Sequence, residues 1–207
     1  LMDDASTDFI PLGDWKSRGN FMDIGPHRVF VLRSGSGPNL LLFNGYPTAS
    51  WGWHRMWPTL TRHFTVTAMD LPGSGFADKP RRGPYNIAYL TDVTEAVLAR
   101  LGVNETHVAA HAYGSTIAQE LLARHYNARE CPTGGPALPG YPTEARLDGH
   151  RPATPRLRSI TFINGGLFPE ATRPTATQKL LLSPIGPLIP YLFPTPYRAF
   201  SAKFGAT

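Results

Sequence analysis

A single cysteine, Cys131, stands among the 207 residues. One thiol excludes an internal disulfide framework and fits a reducing, cytoplasmic setting. It sits in a Pro/Gly-rich segment with no helix signal, which argues against a catalytic thiol. No apolar run approaches the roughly 18 residues that a membrane-spanning helix needs. Leu1 to Asp8 has neither a basic start nor an apolar stretch, so it does not read as a signal peptide. Acidic residues are outnumbered, giving a net charge of +5. The excess comes largely from scattered arginines, several between Arg146 and Arg158, with no basic helix or RNA-binding signature. A mildly basic solvated surface follows, and nucleic acid is excluded as a partner. No metal site, internal repeat or low-complexity segment is expected.

The most informative absence is a side chain. The segment Thr106 to Leu122 reads as a buried strand, a sharp turn and an amphipathic helix. This is the layout of a nucleophile elbow, with small residues Ala110 and Gly114 two places either side of the centre. The central position of an elbow holds Ser, Cys or Asp. Here it holds Ala112, which has no lone pair and cannot attack anything. The helix N-terminus that follows supplies free N–H groups and positive potential where an oxyanion would sit.

A length of 207 residues with 42% hydrophobic content fits one globular domain with a real core. Strands are expected near 20–24, 28–33, 39–43, 64–69, 106–111 and 157–163, and helices near 53–62, 86–101 and 113–125. The second helix is the clearest. Ile87, Leu90, Val97, Leu98 and Leu101 share a face, Asn86 caps the start and Gly102 the end. Strands alternating with helices imply an α/β fold whose mostly parallel sheet is covered on both faces. In such sheets ligands bind at the carboxyl ends of the strands. The turns at Asn44–Trp51, Asp70–Asp78, Ala112 and Asn164 all fall there and should converge on one site.

Three motifs occur in order: Asn44-Gly45-Tyr46-Pro47 after an apolar strand, Asp70-Leu-Pro-Gly-Ser-Gly-Phe76 after another, and His111-Ala112-Tyr113-Gly114. Together they resemble the α/β-hydrolase superfamily. The similarity is nearest to its epoxide hydrolase and haloalkane dehalogenase branch, and within that to the mesoderm-specific-transcript type. That branch commonly reads His-Gly-x-Pro at the first turn and His-Asp-Tyr-Gly or His-Asp-Trp-Gly at the elbow. The stretch Asn164 to Pro174 followed by Gln178 to Leu182 is similar to the start of the branch's cap. The resemblance covers roughly residues 20 to 200.

It implies a hydrolase core over 1–163, with an irregular Pro/Gly-rich insertion at 127–156, and the beginning of a water-excluding cap over 164–207. It implies no cofactor and a small apolar substrate. An inert elbow reads first as an inactivating substitution and second as a natural non-catalytic relative. If the original residue is Asp, a carboxylate attacks an epoxide or alkyl-halide carbon and a histidine-activated water hydrolyses the ester. If it is Ser, the reaction is acyl transfer, with the Tyr46 and Tyr113 backbone N–H groups as the oxyanion hole. The third reading is a non-catalytic binding module on the same scaffold. Tyr113 argues against a dehalogenase, which usually places Trp there to hold the halide. Asn44 replaces the usual histidine and either stiffens the turn through backbone hydrogen bonds or points into the pocket. Candidate substrate-binding residues are Asn44, Trp51, His111, Asn164 and Phe168, and Trp53, Tyr191 and Phe193 add to an apolar pocket.

None of the seven histidines takes the triad role. His27, His54, His63 and His107 precede the elbow, His125 and His150 lie on the wrong connections, and His111 points away from its neighbour. The strand Leu157 to Asn164 should be central in a whole fold and an exposed edge in this chain. The expectation is that a second polypeptide, most simply a C-terminal half, pairs with that edge and supplies the histidine and acid.

Overall fold

The computed structural model describes residues 9–164 apart from 82, 84 and 131–153. Phe168, Cys131, His150, the cap expected over 164–207 (beyond Asn164 itself) and most of the expected insertion lie outside the described residues.

Six strands form one sheet in the order β1-β2-β4-β3-β5-β6. They are β1 Asn20–Ile24, β2 His27–Ser34, β3 Asn39–Phe43, β4 Thr65–Asp70, β5 Glu105–His111 and β6 Arg156–Ile163. Pairings β3 with β4, β3 with β5 and β5 with β6 are parallel, and β2 meets both β1 and β4 antiparallel. Each strand lies within one or two residues of its expected span.

The central strand shows why the sequence reads as continuously apolar. Leu41 and Phe43 belong to one buried cluster, Leu40 and Leu42 to the other. Alternate side chains of a strand point to opposite faces, and here both faces are covered. Each fully buried leucine contributes roughly 1.5–3 kcal/mol. On the first face pack helices α3 Ile87–Arg100 and α4 Tyr113–Glu130. On the second pack α1 Leu12–Arg18, the 3-10 turn Ser50–Trp53 and α2 Trp57–Thr61.

The single helix expected over 53–62 is divided into that 3-10 turn and the short α2. Pro58 is the cause: it sits in the first turn of α2, where its missing N–H costs nothing, and it cannot continue a helix arriving from Trp53. Helix α1 was not anticipated. Pro11 at its start and Gly19 at its end are the signal it carried. It buries Trp15 completely, with Trp15 Nε1 donating to Ser50 Oγ at 3.1 Å and the ring edge-on to Trp57. Asn86 caps α3 by accepting from the Tyr89 amide at 2.8 Å, and Gly102 takes φ +65° just beyond its end. Of the insertion expected over 127–156, residues 127–130 belong to α4 and Arg156 to β6.

An ion cluster locks α3 to α4. Arg124 donates to Glu120 at 2.7 Å, Glu95 at 2.6 Å and Asp92 at 2.5 Å, and also to the Ala88 carbonyl. These carboxylates raise the guanidinium further above its ordinary value against the opposing effect of burial. Glu95 is almost fully buried, so removing its cation leaves a charge in the core. Arg124→Met is therefore expected to lower stability by roughly 3–5 kcal/mol in urea unfolding. The double variant Arg124→Met/Glu95→Met should recover much of that loss. Equal stability of the single variant and the native chain would show the cluster to be inconsequential.

Candidate functional site

Because β3, β4, β5 and β6 run parallel, Phe43, Asp70, His111 and Ile163 end at the same edge of the sheet. After β5 the chain turns sharply. Ala112 has φ +49°, its amide donates to the Ile163 carbonyl at 3.0 Å, and its carbonyl accepts from Ser115 at 2.9 Å as α4 begins. Asn164, after β6, has the same φ of +49°. Asparagine tolerates this left-handed conformation; alanine rarely adopts it.

Two glycines let the β3 and β5 turns touch. A methyl on Gly114 would lie 2.6 Å from Phe43 Cβ and 2.7 Å from the Asn44 carbonyl oxygen. One on Gly45 would lie 2.8 Å from Ala112 Cβ and 3.1 Å from His111 Nδ1. Asn44 shapes the first turn from within: its Nδ2 donates to the carbonyls of Thr48 at 3.1 Å and Gly45 at 3.3 Å. Thr48 closes the same turn, its hydroxyl donating to Gly45 O at 2.7 Å. Among the described residues the turn network leaves the Tyr46 and Tyr113 amides without a backbone partner.

The β4 turn is held by one buried carboxylate. Asp70 accepts from the Ser50 amide at 2.7 Å and from the Phe76 amide at 2.9 Å. Gly75, at φ +47°, passes so close that a methyl there would sit 2.0 Å from Asp70 Oδ2. Asp70 thus ties the β4 turn to the segment that follows the β3 turn.

Between these turns lies a cavity of about 550 Å³, lined by Phe43, Asn44, Gly45, Tyr46, Thr48, Leu71, Pro72, Gly73, Ser74, Lys79, Tyr85, Leu90, Tyr113 and Ile117. Its size suits a small organic ligand. Burial pushes the Tyr113 phenol up from its ordinary value. Of the residues singled out from sequence, Asn44, Tyr46 and Tyr113 line this space. Ala112 and His111 do not line it themselves but abut Gly45, which does.

Trp51 is not brought to the cavity. Its Nε1 donates to the Ile10 carbonyl at 2.9 Å and its ring stacks on His54 at 4.3 Å, as part of the core on the α1 face. Trp53 is buried in that same core, and Asn164 is exposed and off the cavity wall. His54 Nδ1 is bonded to the Trp51 carbonyl and His107 Nδ1 to Ser159 Oγ, and neither pairing contains the carboxylate that orients a catalytic imidazole. Among the described residues no group of three or more His, Cys, Asp or Glu is placed to hold a metal ion. Sequence reading placed the Asp70–Asp78 turn at the site without singling out Leu71 or Ser74 within it, and missed Lys79, Tyr85, Leu90 and Ile117. The available signal was their position: the turn leaving β4 and the first turns of α3 and α4, all at strand carboxyl ends.

The turn-to-turn contact gives a direct test. Gly114→Ala should lower stability by roughly 1–3 kcal/mol, since backbone atoms of the β3 turn must move. Gly52→Ala, where nothing lies within 4 Å, is the control and should stay within about 0.5 kcal/mol of the native chain. Urea midpoints would measure both, and an unperturbed Gly114→Ala would mean the turns do not pack as described.

Comparison with known proteins agrees with this geometry. Residues 38–133 match the family model described as alpha/beta hydrolase fold. The chain is 37% identical over 186 residues to the mesoderm-specific transcript homolog protein of Bos taurus, covering 84% of this chain and 49% of that protein. It is 36% identical over 95 residues to the soluble epoxide hydrolase of Corynebacterium sp., covering 46% of this chain and 33% of that one. The crystal structure of wild-type Cfl2 from Burkholderia cenocepacia superimposes with a TM-score of 0.55 at 22% identity, over 76% of this chain and 44% of its own, which speaks for the fold alone. The chain spans about half the length of the mesoderm-specific transcript homologue. Its sheet, its strand-end turns and these matches agree: the chain belongs to the α/β-hydrolase superfamily.

Proposed function

We propose that the cavity is a hydrolase site of the epoxide-hydrolase type, that the turn at residue 112 is its nucleophile elbow, and that Ala112 is an inactivating replacement at the nucleophile position. The observation that carries this is the φ of +49° at Ala112. That conformation costs a residue other than glycine roughly 1–2 kcal/mol. Alanine has no polar side chain to offset the cost, so the sequence gains nothing locally from it. Backbone strain of this kind collects at functional sites, where it aims a side chain at a ligand. With an Asp there, a carboxylate oxygen would attack an epoxide carbon, the C–O bond would break and the alkoxide would take a proton from water. Hydrolysis of the resulting ester would release the diol and free the carboxylate. The His-Ala-Tyr-Gly motif and the likeness to a soluble epoxide hydrolase favour this over an ester-cleaving Ser.

The Tyr46 and Tyr113 amides would serve as the oxyanion hole in either chemistry. Residues 164–207 would begin a cap that keeps water from the cavity. On this reading the catalytic histidine and its acid lie on chain that pairs with β6, which is a sheet edge among the described residues. The single cysteine supports a cytoplasmic setting. On this reading the chain as it stands holds a small, largely apolar molecule without covalent chemistry. The rival reading, a natural binding module, is favoured by Ala112 alone.

Covalent labelling separates them without requiring turnover. Ala112→Asp incubated with styrene oxide should gain the mass of one substrate, mapped to position 112 by peptide analysis. Ala112→Ser should be acylated at the same position by p-nitrophenyl acetate if the ester-cleaving reading holds. A native chain that stays unlabelled, alongside a labelled Ala112→Asp, is the expected result. No labelling of either variant would favour the binding module.

A further inference from the structure

The cavity carries one feature that the hydrolase reading does not use. Among its described lining residues Lys79 alone is charged at neutral pH. Phe43, Leu71, Leu90 and Ile117 supply buried apolar wall. The ammonium is held in place: Nζ donates to the Gly75 carbonyl, and to the Ala77 carbonyl at 3.1 Å. An ammonium has three N–H donors, so one remains for a ligand. Among the described residues Lys79 forms no ion pair. The carboxylate of the adjacent Asp78 is taken by the Arg28 amide, at 2.8 Å from Oδ2.

Lys79 is exposed, so it offers its cation at the solvent-facing side of an apolar cavity, where it selects for a complementary charge. We infer that the ligand of this cavity is an amphiphile with an acidic group, a carboxylate in the simplest case, received by Lys79 while its apolar body lies against Leu71, Leu90 and Ile117. The inference rests on the cavity being the ligand site. Burial alone predicts the opposite preference, because desolvating a carboxylate costs more than desolvating a hydroxyl. Because Lys79 is exposed, an acidic head beside it stays partly solvated, which lowers that cost, and a charge-assisted hydrogen bond from the ammonium then tips the preference. The same two backbone carbonyls that hold the side chain keep the ordering cost of binding low.

Calorimetric titration of the full chain with octanoate and with octan-1-ol tests it. Octanoate should bind about tenfold more tightly than the alcohol, and the margin should shrink with added sodium chloride. Lys79→Gln, which keeps a hydrogen-bond donor but no charge, should lose that tenfold for octanoate and leave octan-1-ol unchanged. Lys79→Arg should keep the preference. Equal affinity for the two probes on the native chain, or an undiminished preference in Lys79→Gln, overturns the inference while leaving the cavity as the ligand site. Failure of both octanoate and octan-1-ol to bind overturns the cavity reading itself, and this inference with it.

Discussion

Everything at the strand ends depends on how closely the β3 and β5 turns approach. Gly114 lies against Phe43 and the Asn44 carbonyl with no room for a methyl, and Gly45 lies against Ala112 and His111 in the same way. These two contacts let α4 start immediately after β5 and bring its first amides beside those of the β3 turn. A side chain at either glycine would push the turns apart and move the amides of Tyr46 and Tyr113 with them. The sheet makes the approach possible because β3 and β5 are parallel neighbours in fixed register, with Phe43 opposite Ala110. The two small residues flanking Ala112 therefore meet different demands. Ala110 is fully buried under α4, while Gly114 answers to the neighbouring turn.

A second constraint, electrostatic rather than steric, places the third wall. Asp70 ends β4 fully buried, and its two oxygens take the amides of Ser50 and Phe76. Amides that would otherwise be buried without partners are satisfied by a single side chain, and two segments far apart in sequence are joined. Ser50 in turn receives Trp15 from α1, so the N-terminal helix is linked to the site through one hydroxyl. The cavity sits where these linkages meet. Its lining from Leu71 to Tyr85 comes from the turn that Asp70 organises. Lys79 falls within that turn, and the carbonyls that hold it are those of the Gly75–Ala77 backbone.

Strand positions were legible because strong local patterns coincide with burial. Leu40 to Phe43 is apolar throughout since both faces of β3 are covered, and β6 alternates because only one of its faces packs on the core. Asn86 and Gly102 announced α3 through cap chemistry that acts over three or four residues. The candidate site was partly legible for the same reason: the turns that carry Asn44, Tyr46 and Tyr113 follow directly from strand ends. Trp51 failed because an aromatic residue near a site turn carries no information about which way it faces. The Ile10 carbonyl and the His54 ring draw it into the α1 core, and both contacts are long-range or conformation-dependent. Helix α1 escaped because seven residues give too little periodicity, and its burial of Trp15 depends on a partner 35 residues away.

Position 112 is where local preference and global fold disagree. A left-handed backbone is imposed on Ala112 from outside, by the hydrogen bond its amide donates to the Ile163 carbonyl and by the immediate start of α4. Asn164, at the equivalent point after β6, adopts the same φ with a side chain suited to it. Sequences that specify a fold well keep local and global demands consistent, and conflicts concentrate at functional or strained positions. The cost at Ala112 is small against the packing of β5, which buries Val108 and Ala110 in the main core. The turn therefore keeps its shape with alanine in place. Its geometry is set by the partners of the turn, the Ile163 carbonyl and the first turn of α4, and the methyl group meets that geometry without adding a polar contact.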